Sequence, residues 1–174
     1  MRIFLLAALL LTFTTVNSQL PTPITLPNGW SLSPLGRSMQ LGDLPLNMAV
    51  SHSGKRLAVS NNGQSGHSIQ YIDAVTEKTL DLMEIDKAWY GLAFSDDDQL
   101  LYASAGHDNR INVYSTKGDH LKLTDSILLG DPWPNKVGPA GIAINGKKNL
   151  LYVVTRDNKS LYIIQTSKIG RAHV

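Results

Sequence analysis

The sequence predicts an all-β chain: a partial β-propeller of about three four-stranded antiparallel blades, preceded by one orphan strand. Three observations predict it. A segment recurs along the chain, Ala49 to Ala93 being 44 residues and Ala93 to Ala143 being 50. Within each copy, the step from that alanine to the leucine opening the next strand is always 8 (Leu57, Leu101, Leu151). The first strand of each copy alternates large and small residues, as in Leu92-Ala-Phe-Ser95. Four short strands per unit of roughly 40 to 50 residues is the size of a propeller blade. Alternating large and small residues suit sheets that taper towards an axis and are packed on both sides. A β-sandwich is the competing architecture, but it has no fixed long repeat.

The elements follow in order. Residues 1–18 read as a secretory signal peptide: Arg2, an apolar run from Ile3 to Leu11, then Val16-Asn17-Ser18 as a cleavage site. The apolar run is too short to span a bilayer, which takes about 20 residues. The alternative is an uncleaved N-terminal anchor. Residues 19–36 form an N-terminal segment without an assigned element. Arg37 to Leu41 is expected to be an outermost strand, because Ser38-Met-Gln-Leu-Gly-Asp43 matches Ser126-Ile-Leu-Leu-Gly-Asp131. The blades are expected at about 46–85, 90–129 and 140–168, so the partial propeller covers 37–168. Turn chemistry separates the first two strands of each: His52-Ser-Gly-Lys55, Asp96-Asp-Asp-Gln99 and Asn145-Gly-Lys-Lys-Asn149. Residues 169–174, Ile-Gly-Arg-Ala-His-Val, fall outside the repeat. They match one reading frame of a common sequencing adapter and are expected to be a non-native tail. Closed propellers need about four to eight blades, so the chain is expected to be a fragment of a longer one.

Composition narrows the function. The 174 residues contain no cysteine, which excludes disulfides, thiolate zinc sites and cysteine nucleophiles. The formal charge is only +2, without a basic stripe, and there are three Phe and three Trp. Nucleic acid is not an expected partner. The five histidines (52, 67, 107, 120, 173) have no metal-ligand spacing. Asp96-Asp97-Asp98 lacks the alternation and terminal Glu of a calcium loop and reads as a solvated turn. No Gly-x-Ser-x-Gly elbow and no phosphate-cradling glycine loop is present. No catalytic residue, metal or cofactor is assigned.

In a propeller, the loops between second and third strands share one rim with the crossovers between blades. That rim should collect Asn61, Asn62, His67, Trp89, Tyr90, His107, Asp108, Arg110, Trp133, Arg156 and Asp157. Nine of these are the candidate ligand-binding residues: Asn62, His67, Trp89, Tyr90, His107, Asp108, Arg110, Trp133 and Arg156. Aromatic bodies with polar tips suit a small-molecule, carbohydrate or peptide ligand. The plainer alternative is that loops are polar and rim tryptophans plug gaps between blades.

The second strands, Leu57-Ala-Val-Ser-Asn61, Leu101-Tyr-Ala-Ser-Ala105 and Leu151-Tyr-Val-Val-Thr155, resemble the YVTN-type β-propeller repeats. Leu26-Pro-Asn-Gly-Trp30 and Leu41-Gly-Asp-Leu-Pro-Leu-Asn-Met48 look like secreted bacterial proteins in which a propeller precedes an alkaline-phosphatase-type phosphoesterase domain. That resemblance implies a secreted or periplasmic protein whose metal ligands lie in the C-terminal domain, so no catalytic residue carries over. Two functions are therefore expected in competition. One is a non-catalytic ligand-binding or scaffold propeller. The other is a lactonase-like hydrolase with His107, Asp108 and Arg156 at the axis mouth.

Overall fold

The computed structural model describes residues 23–32, 36–131 and 134–168. The signal-peptide and tail assignments lie outside them. The chain divides into two compact units, Met1–Ser38 and Met39–Val174. In the first, β1 (Ile24–Thr25) and β2 (Ser31–Leu32) pair antiparallel. Pro27-Asn28-Gly29 supplies the turn, with Gly29 at φ 82° and its N–H donating to Leu26 O at 2.9 Å. This hairpin lies in the segment to which the sequence analysis assigned no element.

The second unit contains three antiparallel sheets in chain order. The first is β3 (Pro45–Val50), β4 (Arg56–Gly63), β5 (Gly66–Asp73) and β6 (Lys78–Glu84). The second is β7 (Leu92–Phe94), β8 (Leu100–Ser104), β9 (Arg110–Ser115) and β10 (Lys122–Leu128). The third is β11 (Pro139–Asn145), β12 (Leu150–Thr155) and β13 (Leu161–Gln165). Each is an up-and-down meander, and β7 lies against both β3 and β11. Stacked meanders with their first strands adjacent are the architecture of a partial β-propeller.

Two details differ from expectation. The third blade has three strands among the described residues, and β13 runs into a single 3-10 turn, Thr166–Lys168. Arg37 to Leu41 is not a strand. An outermost strand needs the third strand of its own blade as partner, and none stands beside it among the described residues. The Gln70 side chain takes that role instead: its Nε2 donates to Gln40 O (3.3 Å), and its Oε1 accepts from the Gly42 N–H (3.0 Å).

The constant step of 8 has a local cause. In the first two blades a serine ends the inner strand and bonds across the turn. Ser51 Oγ accepts from Arg56 N (3.0 Å) and Ser95 Oγ from Leu100 N (2.9 Å). A left-handed residue completes each turn: Gly54 (φ 69°) and Asp98 (φ 56°). The third blade uses Asn145, whose Oδ1 accepts from Lys148 N, and places its left-handed Asn149 one position later. Glycine, Asp and Asn tolerate this conformation at little cost.

Strand alternation assigns the faces. Ala58, Ile69 and Tyr71 of the first blade pack on Leu92, Phe94, Leu101, Ala103 and Tyr114 of the second. The other side of the second blade, Tyr102, Ile111 and Val113, packs on Leu151 and Val153 of the third. Burying one such aliphatic side chain is worth about 1.5–3 kcal/mol. The turns are clasped as well. Asp98 accepts from the backbone N–H groups of His52 (2.6 Å) and Ser53 (2.8 Å) in the neighbouring blade. The Asp96-Asp97-Asp98 turn thus joins two blades.

Candidate functional site

Backbone bonds bring the loops and crossovers to one rim. The crossover from first to second blade is tied at Ile85 N to His67 O (3.0 Å) and at Ser104 N to Gly91 O (2.9 Å). The next crossover is tied at Leu129 N to Asn109 O and at Arg156 N to Gly138 O, both 2.9 Å.

Asn109 organises that second crossover. It is fully buried, at φ 52°, immediately after the 3-10 turn Gly106–Asp108. Its Oδ1 accepts from Val137 N (3.1 Å) and Gly138 N (3.0 Å). Its Nδ2 donates to Asp131 O (2.6 Å) and Asn135 O (2.7 Å). One amide thereby satisfies four backbone groups of a loop that would otherwise have no ladder.

A cleft of about 190 Å3 opens on this rim. Of the nine predicted residues, Asn62, His67, Trp89, His107 and Arg156 line it. Lys87, Ala88, Gly106 and Gly138 complete it. The Arg156 guanidinium lies over the Trp89 ring, 5.1 Å from its centre, a cation–π arrangement. Arg156 is oriented by Asp157, which accepts from its Nε (2.8 Å) and Nη2 (3.2 Å). That pairing holds the Asp157 carboxyl below the usual range, with the charges of Arg156, His107 and Lys136 adding to it, and it raises Arg156. The ring of His67 is fixed from outside: its Nδ1 accepts the Ala88 N–H at 3.3 Å. A neutral imidazole in this geometry carries its proton on Nε2 and presents a donor.

The other predicted residues are placed elsewhere. Asp108 and Arg110 lie on the far side of the crossover, where Lys87 Nζ (2.6 Å) and Arg110 Nη2 (3.3 Å) both bind the Asp108 carboxylate. Tyr90 is exposed and does not line this cleft, while its carbonyl accepts from Asn47 Nδ2 (2.8 Å). Trp133 lies outside the described residues. Sequence reasoning missed Lys87 and Asn109. The signal for Lys87 was its position two residues before Trp89 in a crossover. The signal for Asn109 was an Asn in a tight loop, the residue type that takes positive φ. No group of three or more His, Asp or Glu side chains converges on one point among the described residues.

The rim cleft belongs to a protein of the β-propeller class, and the comparisons with solved structures agree with that fold. Hydrazine synthase of Kuenenia stuttgartiensis is similar with a TM-score of 0.58 and 23% identity, over 78% of this chain and 37% of that one. A chain of the COPII outer coat vertex on membranes has a TM-score of 0.57 and 15% identity, over 71% and 34%. A protein from Lactobacillus plantarum has a TM-score of 0.56 and 19% identity, over 68% and 37%. At these identities the likeness is one of fold. The chain spans little more than a third of the length of these structures. No family model matches the chain, and no curated protein does.

Proposed function

We propose that the chain is a non-catalytic, ligand-binding part of a secreted or periplasmic β-propeller of the YVTN-repeat type, with the rim cleft as its site. The observation that carries this is the convergence of Trp89, Arg156, His67, His107 and Asn62 from three blades on one concave surface. A flat ring, a planar guanidinium and an imidazole donor can grip a small sugar or peptide group without performing chemistry on it. The alternative, a lactonase-like hydrolase, needs a free carboxylate near His107. Asp108 is instead held between Lys87 and Arg110, which favours binding. The Leu26–Trp30 and Leu41–Met48 stretches further support a parent protein with a C-terminal phosphoesterase domain that the propeller positions.

The site is tested by titrating the protein with a panel of neutral sugars and short peptides, following heat release. A binder should lose at least tenfold in affinity on Trp89→Ala or Arg156→Ala, because aromatic and Arg anchors dominate such sites. A panel with no binder, or a binder indifferent to both changes, refutes the rim site. Turnover of a lactone that disappears in His107→Ala/Asp108→Ala would establish the hydrolase instead. The secretion proposal is tested by fusing residues 1–18 to a leaderless reporter. Retention of that reporter in the cytoplasm would refute it.

A further inference from the structure

A second, larger cleft of about 780 Å3 lies between the outer halves of the first and second blades. It is within the range of about 300–1,000 Å3 typical of ligand sites. His67 and Lys87 form the wall it shares with the rim cleft, and no other residue of the rim cleft lines it. Met83, Ile85 and Leu123 supply much of its apolar lining.

Its polar groups are out of balance. Four carboxylates (Asp43, Glu84, Asp86, Asp108) face two cations, Lys87 and Arg110. Both cations are taken up by Asp108. Asp43 receives the N–H and hydroxyl of Ser65 together with backbone N–H groups of Gln64 and Leu44, all of them neutral donors. Glu84 and Asp86 are exposed and have no cationic partner among the described residues. Deeper in, Asn112 is 7% exposed, and its Oδ1 is buried without a hydrogen-bond partner. A buried acceptor left unpaired costs about 1–3 kcal/mol, so this atom calls for a donor.

We infer that this cleft docks an extended segment of a partner protein that presents a lysine or arginine. The aliphatic stem lies along Met83, Ile85 and Leu123, the charged head lies between Glu84 and Asp86, and an N–H of the segment donates to Asn112 Oδ1. The surplus of negative charge excludes phosphate and carboxylate ligands. A free amine would satisfy the charge but leave most of the volume empty. The inference stands apart from the rim cleft, since it uses neither Trp89 nor Arg156.

The test uses the full chain and fluorescence anisotropy with labelled octapeptides carrying Lys-Xaa-Leu or, as matched controls, Gln-Xaa-Leu. Lysine peptides should bind and weaken as salt rises. Affinity should fall about three- to tenfold in Glu84→Gln/Asp86→Asn, since each partly exposed ion pair contributes modestly. Val75→Ala, outside both clefts, should bind the peptides as the parent does; Glu84 and Asp86 do not line the rim cleft, which separates this site from it. Thermal melts establish that the variants are folded. Equal binding of Lys and Gln peptides, no binding of either, or no effect of the double substitution would overturn the inference. So would displacement of the peptide by 1,5-diaminopentane at equal concentration, which would mark a small-amine site.

Discussion

The second and third blades are built from nearly the same strand pattern but sit in different surroundings. The second is covered on both faces, by Ile69 and Tyr71 of the first blade on one side and Leu151 and Val153 of the third on the other. Among the described residues the third is covered on one face only; on the other, Val154, Leu161 and Ile163 are 50–60% exposed. The first blade mirrors it, with Met48, Val50 and Leu82 exposed on its far side. Alternation therefore marks what a blade face is suited to bury, while burial itself depends on a neighbour. A contiguous apolar sheet face in water is a site of association.

That contrast can be broken first at the covered interface. Leu151→Ala removes a fully buried side chain between second and third blades. It should destabilise by about 2–5 kcal/mol, measured by urea unfolding. A loss under 1 kcal/mol would mean that the interface is loosely packed. Asn109→Ala comes next. It strips four bonds from the crossover and should cost about 1–3 kcal/mol or more. Hydrogen exchange should then accelerate at Val137 and Gly138 first; uniform acceleration along the chain would contradict the anchoring role.

A smaller effect is expected at the Asp98 clasp. Burial pushes its carboxyl up, but the bonds from Ser53 and His52 outweigh this and leave it below its ordinary value. A carboxyl lowered on folding contributes stability that is present above its unfolded value, near pH 4, and is lost as pH falls through the folded value. Thermal melts from pH 6 to pH 2 should therefore show a shallower acid loss for Asp98→Asn than for the parent. An identical slope would remove Asp98 from the acid response. The smallest effect on stability belongs to the open face. Leu161→Thr/Ile163→Thr should move stability by about 0.5 kcal/mol or less yet lower self-association in sedimentation. Unchanged association would show that the exposed third-blade face does not mediate it.

How far the sequence was legible follows from the range of each interaction. The blade strands were legible because their causes are local: alternation, plus a turn closed by Ser51, Ser95 or Asn145 within a few residues. Arg37 to Leu41 was misread because its likeness to Ser126–Asp131 is a local signal, whereas strand formation needs a partner from elsewhere. Five of the candidate residues line one cleft because topology alone sends their loops to one end. Asp108 and Arg110 were grouped with them because loop membership does not say which side of a crossover a side chain takes. Their direction depends on Lys87, 21 residues from Asp108. Asn109 was missed for the same reason, as its partners lie 22 to 29 residues away.

Gly146 opens the turn of the third blade, and any Cβ placed there would run into the carboxylate of Asp96 on the second. On the other side of the same aspartate-rich turn, Asp98 grips the first blade. The three sheets thus meet through turn contacts in series at the end opposite the ligand rim, like ribs of a fan held at the rivet. Side-chain bulk at position 146 would have to displace the Asp96 carboxylate, a half-exposed side-chain end that can swing aside, so the backbone spacing of the ribs is left to the Asp98 clasp.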